Sequence, residues 1–161
     1  MLCTWRPMCH LMLARDRVKA PDRQARNAYQ AMHLGRSHGQ TLLAELLPYP
    51  HSHTRHWLYR RRYPKRKAYE AALLPKRLKL LSRVLTEHSR QIIVCYGKTR
   101  WPDYKRLISQ AYGKVNWGAH KSLSAEKAIV GKMRILLVHH LSRGPFNSDA
   151  ELAAFVRLAK A

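Results

Sequence analysis

Apolar side chains recur at helical spacing over residues 66–89, where Leu74, Leu78, Leu81 and Leu85 share one stripe. That spacing predicts one amphipathic helix, with Pro75 either opening its main segment or kinking it. The run that follows, QIIVCYG at 91–97, is apolar at successive positions, rich in β-branched residues and ended by Gly97. A run of this kind is a strand covered on both faces, which places it as a central strand of a parallel sheet. Pro102 then sits where a first helical turn tolerates proline, and Tyr104, Leu107, Ile108 and Ala111 follow at i, i+3, i+4 and i+7. Residues 112–126, with Gly113, Trp117 and Gly118, read as a loop. Two short strands come next, KAIV and MRILLVHH, joined at Gly131 and Lys132, with Ile135 to Val138 the stronger part. Ser148 and Glu151 make a capping-box pattern ahead of Leu152, Phe155, Val156 and Ala159, so a helix closes the chain.

The first quarter is less patterned. Residues 1–38 carry only a weak helical hint around Asp22 to Met32, and are set apart as a poorly defined basic segment. TLLAELLPYP then gives Leu42, Leu43, Leu46 and Leu47 as a short buried turn or extended piece, ended by Pro48 and Pro50. Residues 39–161 thus read as one α/β domain: a small three-layer arrangement with a mostly parallel sheet, right-handed crossovers and flanking helices. Ligands of such sheets bind beyond the carboxyl ends of strands. Two stretches qualify, Tyr96 to Arg100 and His139 to Phe146, and they are expected to lie near one another.

Charge narrows the partner. With 31 Lys and Arg against 9 Asp and Glu, the chain carries a formal +22, and so large a charge repels itself unless a polyanion neutralises part of it. Nucleic acid is the expected partner. A membrane surface ranks well behind, since no stretch approaches the roughly 20 apolar residues that spanning needs and no long basic amphipathic helix dominates. Arg6 and His10 interrupt the N-terminal apolar residues, unlike a secretory signal, and the expected location is the cytoplasm. An Arg-rich start could also mark an organelle transit segment, against which Asp16 and Asp22 count. Cys3, Cys9 and Cys95 are too few for a disulfide framework, and Cys95, inside an apolar strand, is expected to be an inert thiol.

Between residues 51 and 69, Arg55, Arg60, Arg61, Arg62, Lys65, Arg66 and Lys67 interleave with Trp57, Tyr59, Tyr63 and Tyr69, and no acid interrupts them. Guanidinium groups grip phosphates bidentately and flat aromatics offer stacking surfaces, so the segment is a candidate nucleic-acid contact. The alternative is a solvated loop whose Trp57 and Tyr59 merely anchor it. His51, His53 and His56 lack a Cys or acid at a spacing that would complete a metal site, so neither metal nor cofactor is implied. HHLSRGPFNSD at 139–149 sets two imidazoles at a strand end, followed by Ser142, Arg143 and Gly144. A histidine there can donate to an oxyanion, Ser142 and Arg143 can hold a phosphate, and Leu141 or Phe146 can wedge into a base stack. A plain strand-to-helix connection is the alternative.

Taken together, LLAELLPYPHSHTRHWLY, the helix leading into QIIVCYG, and ILLVHHLSRGPF resemble the later two-thirds of the uracil-DNA glycosylase superfamily, over about residues 39–160. In that superfamily a strand ending in an aromatic residue and glycine precedes a helix, which Tyr96 and Gly97 match. A late strand ends there in a His-Pro-Ser loop that enters the DNA; His140, Leu141 and Ser142 match it except that Leu replaces proline. The resemblance implies a base pocket or wedge at Tyr96, Gly97, Leu141 and Phe146, and a catalytic His140 that stabilises charge developing on an extruded base. The family's early Gly-x-Asp/Asn-Pro-type motif is missing, and with it the first strand, leaving Asp16, Asp22 and Glu45 as poor substitutes. The implied function is therefore DNA binding by a truncated or degenerate relative. An active base-excision glycosylase and a basic RNA-binding or ribosome-associated protein are the alternatives.

Overall fold

The computed structural model describes residues 3–48, 57–142, 146 and 148–160. Five helices pack on one sheet: α1 (Arg6–Arg15), α2 (Arg23–Met32), α3 (Arg66–Glu87), α4 (Trp101–Tyr112) and α5 (Asp149–Lys160). The strands are β1 (Ile92–Tyr96), β2 (Gly118–His120), β3 (Ala125–Val130) and β4 (Met133–Val138). The α/β class and the three layers expected from the pattern are present.

Strand pairing differs from the expectation. The order is β1-β4-β3-β2, and of its three pairings only β1 with β4 is parallel, in register from Ile92↔Arg134 to Tyr96↔Val138. β3 pairs antiparallel with both β4 and β2, so the sheet is mixed and mostly antiparallel. The reason lies at Gly131 and Lys132. A two-residue connection, with Gly131 at φ +57°, leaves no length for a crossover and can only make a hairpin. β1 is also an edge strand and not a central one. Apolar residues at every position report cover on the two faces of a strand and carry no information about its edges. The expected loop at 112–126 holds β2 and a 3₁₀ turn, Lys121–Leu123.

The two faces of the sheet follow the period of two. Ile92, Val94, Ala125, Leu136 and Val138 turn to one side and meet Leu11 of α1 and Leu152, Phe155, Leu158 and Ala159 of α5. Ile93, Ala128, Met133 and Ile135 turn to the other and meet Ile108 of α4 and Leu85 of α3. Leu78 of α3 and Leu107 of α4 extend that second layer over Leu46. Capping at the last helix follows the sequence pattern: the Ser148 N–H and hydroxyl reach Glu151 at 2.9 and 3.0 Å, and the Glu151 N–H returns to Ser148 Oγ at 3.2 Å. Among the described residues, no helix is long and apolar enough to cross a membrane.

The first quarter holds more structure than its sequence announced. Asp22 caps α2 by accepting from the Ala25 N–H at 2.7 Å. Cys9 and Met12 of α1 pack with Tyr29 and Leu34, while Leu11 enters the core shared by α5 and β4. Arg6 ties α1 to the start of α5 through Asp149, 3.1 Å away.

His10 lies in the same contact, 7% exposed, its Nδ1 without a partner among the described residues. Burial lowers its pKa below the usual histidine value, the Arg26 and Arg6 charges lower it further, and Asp149 opposes them. The unfolded chain therefore binds a proton at His10 that the folded chain resists. Stability present above about pH 6.5 is lost as pH falls below that value. We expect the urea midpoint to drop between about pH 7.5 and about pH 5.5, and His10→Gln to flatten that part of the profile. Equal slopes for the two proteins would show that His10 does not couple to folding.

Candidate functional site

Because β1 and β4 run parallel, their carboxyl ends coincide. The Gly97 N–H extends their ladder by one bond to the Val138 carbonyl, at 3.0 Å. Gly97 then takes φ 98° and ψ 96°, a conformation that residues with a Cβ seldom adopt, and this turns the chain at once into Lys98–Arg100 and α4. The Tyr96 ring meets the edge of His140, centroids 5.7 Å apart and planes at 86°. Trp5 closes the other side of Tyr96 at 6.1 Å. The two strand ends singled out in the sequence are thus one place.

His140 is exposed and oriented. Its Nδ1 accepts from the Ser142 backbone N–H at 3.3 Å and lies 2.8 Å from the Ser142 hydroxyl. An accepting Nδ1 leaves the proton of the neutral ring on Nε2, which makes Nε2 a donor to a ligand. His139 sits edge-on to Trp101, at 6.1 Å, and its buried Nε2 has no partner among the described residues. Trp101 donates its indole N–H to the Val138 carbonyl at 3.1 Å, fixing the start of α4 against the end of β4.

Comparison with protein-family models, with curated proteins and with solved structures finds no match. The site's chemistry therefore rests on its own residues.

A carboxylate reaches this edge, which the sequence reasoning had discounted. Burial first, and then the Glu45 charge, push the Tyr96 hydroxyl above the usual tyrosine value; Glu45 also acts on Tyr104, whose pKa burial raises strongly. Arg77 holds the Glu45 carbonyl at 2.5 Å, and Tyr104 donates its hydroxyl to the Tyr96 carbonyl at 3.2 Å. Glu45 stands in an irregular segment with no helical or strand period, so nothing local in the sequence could have placed it. Cys95 is buried as expected, its thiol pushed up to about 12 by burial, and Cys9 is pushed up to about 11.

The basic segment adjoins the same edge. Glu70, one turn into α3, accepts from Arg66 at 2.9 Å and from Arg100 at 3.0 Å, while Asp103 accepts from Arg100 at 3.3 Å. Arg100 hydrogen bonds hold the Glu70 carboxyl below its usual range, and they fasten the start of α3 to the residues just after β1. Arg60, Arg61, Arg62, Lys65, Arg66 and Lys67 are all exposed on that side. Arg60, Arg61 and Arg62 line a cavity of about 540 Å³ together with Trp57, Leu58 and Tyr59.

Three expectations change. The aromatics of the basic segment pack mainly on each other: Trp57 lies 5.2 Å from both Tyr59 and Tyr69, and Tyr63 lies 5.3 Å from Tyr69. The Trp57 indole N–H closes the loop on the Tyr63 carbonyl at 2.6 Å. Tyr69, 2% exposed, anchors this cluster to α3, so Trp57 and Tyr59 brace the arginines instead of standing as separate stacking platforms. Leu141 and Phe146 are not wedges either. They are 2% and 3% exposed in the core with Phe155, and a wedge has to be free to leave its own packing. Arg55, Arg143 and the histidines at 51, 53 and 56 lie outside the described residues. Ser142 stays half-buried beside His140.

Proposed function

We propose that this chain binds nucleic acid, with DNA as its partner, through the carboxyl edge of β1 and β4 and the adjoining arginine-rich surface, as a truncated or degenerate relative of uracil-DNA glycosylases. The contact between Tyr96 and His140 at 5.7 Å carries the reading. It sets an aromatic face and an imidazole with an outward Nε2–H where a strand-end ligand sits. Arg60 to Lys67 supply cations on the same surface for the phosphate backbone. A neutral His140 can donate to a carbonyl oxygen of an unstacked base, which recognises that base and also stabilises negative charge on it. The +22 balance drives the encounter.

Glu45 favours a second reading, slow base excision. Its carboxylate charge acts on Tyr96, so a group able to favour a sugar cation or orient water stands near the imidazole. The early acidic motif of the family is still absent from the sequence, which keeps this reading second.

Cleavage of a labelled, uracil-containing single strand, run beside a binding titration, separates the two. For a binding protein, no abasic product forms and His140→Ala changes affinity by less than about threefold, because phosphate contacts dominate. For an enzyme, abasic product forms and falls by about a hundredfold or more in His140→Ala. Failure of the wild-type chain to bind the strand at low salt would refute both.

A further inference from the structure

A second concave surface lies on the far side of the sheet from β1. Lys127 and Ile129 point to the face of β3 that carries α5, since Ala125 on the same period joins the core there. α5 does not cover them fully, and Ile129 is 56% exposed. The uncovered step forms a cleft of about 760 Å³ between β2, β3 and α5. Ile129, Ala154 and Leu158 give it an apolar floor, and His120, Lys127 and Arg157 stand among its lining residues. None of its lining residues is acidic, and neither Lys127 nor Arg157 enters an ion pair among the described residues.

An apolar floor with cations beside it fits a flat, weakly polar ring joined to an anion. We propose that this cleft holds a nucleoside phosphate unit, with the base on Ile129 and Leu158 and the phosphate on Lys127 and Arg157. The apolar floor favours a base over a purely acidic peptide, which would leave Ile129 uncovered. The +22 on each copy disfavours a second copy of the chain.

Position supports a link to the first site. His120 pairs with Ala125, at the end of β3 that lies beside the carboxyl end of β4. The turn Lys121–Leu123 joins the two places: Leu123 packs in the core with Leu141, while Ser122 lines the cleft and reaches His120 Nδ1 at 3.3 Å. One strand leaving His140 would cross this turn and enter the cleft. That continuity rests on the nucleic-acid reading above, whereas the cleft's own ligand chemistry does not.

The test uses the full chain with two probes, adenosine 5′-monophosphate and a thymidine oligonucleotide of about fifteen nucleotides, which is within the span of one single-strand site. We expect amide shifts at Ala119 and Ile129 in the wild type that are lost in Lys127→Ala/Arg157→Ala. The double variant should also make the oligonucleotide's log–log salt slope shallower by about 1.4, at about 0.7 per lost phosphate contact. Lys19→Ala/Lys132→Ala, which removes the same charge elsewhere, should leave the slope unchanged. Shifts with the mononucleotide assign a free nucleotide to the cleft, and shifts with the oligonucleotide alone assign a strand; either supports the proposal. Absence of shifts at Ala119 and Ile129 with both probes overturns it, as does equal competition by a poly-glutamate peptide, or a wild-type dimer that the double variant breaks. An oligonucleotide that fails to bind while the mononucleotide marks the cleft would refute the nucleic-acid reading and uphold the cleft. Oligonucleotide binding that leaves the cleft unmarked would do the reverse.

Discussion

Between about 50 and about 200 mM salt, the affinity of this chain for duplex DNA is expected to fall about a thousandfold. The number follows from which cations are placed to act. Arg66 and Arg100 are committed to Glu70, and Arg100 also to Asp103. Arg60, Arg61, Arg62, Lys65, Lys67 and Lys98 are exposed on the surface that adjoins Tyr96 and Gly97. If each meets one phosphate, about six counterions leave the duplex and log affinity falls against log salt with a slope near −5. Fluorescence anisotropy with a labelled duplex at four or more salt concentrations reads that slope directly. A flat response would mean that the +22 charge does not engage the backbone, and the proposed function would fail with it.

Leu11→Ala is expected to destabilise the fold by about 2–5 kcal/mol, the range for a large-to-small change at a fully packed site. Leu11 is 1% exposed and shares a cluster with Phe155, Leu136 and Leu158, so its removal opens a void that α1, α5 and the sheet all border. Urea denaturation compares the variant with the wild type. A loss of this size shows that residues 6–15 belong to the cooperative unit. A loss below about 1 kcal/mol would show that α1 docks loosely and that the core closes without it.

The helices and strands with strong periodicity were legible in the sequence, and so was the place where their ends meet. Leu74, Leu78, Leu81 and Leu85 announced α3, QIIVCYG announced β1, and Ser148 with Glu151 announced the cap of α5, because each signal is local. α1 was hidden for a physical reason. Pro7, Cys9, His10, Leu11 and Met12 are all buried, some against α2 and others against α5, so the helix has no single apolar stripe to detect. β2 was hidden because a three-residue edge strand, Gly118–His120, leaves no alternation to count. The sheet's direction was available and misjudged: the Gly131–Lys132 connection already required an antiparallel pair. At the site, Tyr96, Gly97, His140 and Ser142 met as expected, since two parallel neighbouring strands bring their ends together. Glu45 was not legible, because only the three-dimensional path of residues 41–48 sets its charge near Tyr96.

The mixed sheet also orders events in time. β3 and β4 are neighbours in sequence, and a hairpin with a two-residue turn closes in about 1–10 μs. β1 can join β4 only after the chain through α4, β2 and β3 has been brought round, and that longer closure is slower. The Tyr96–His140 contact exists only once this last pairing is made. Ligand recognition at that edge is therefore a property of the finished sheet, acquired at the late step of folding and lost at the first step in which β1 peels away.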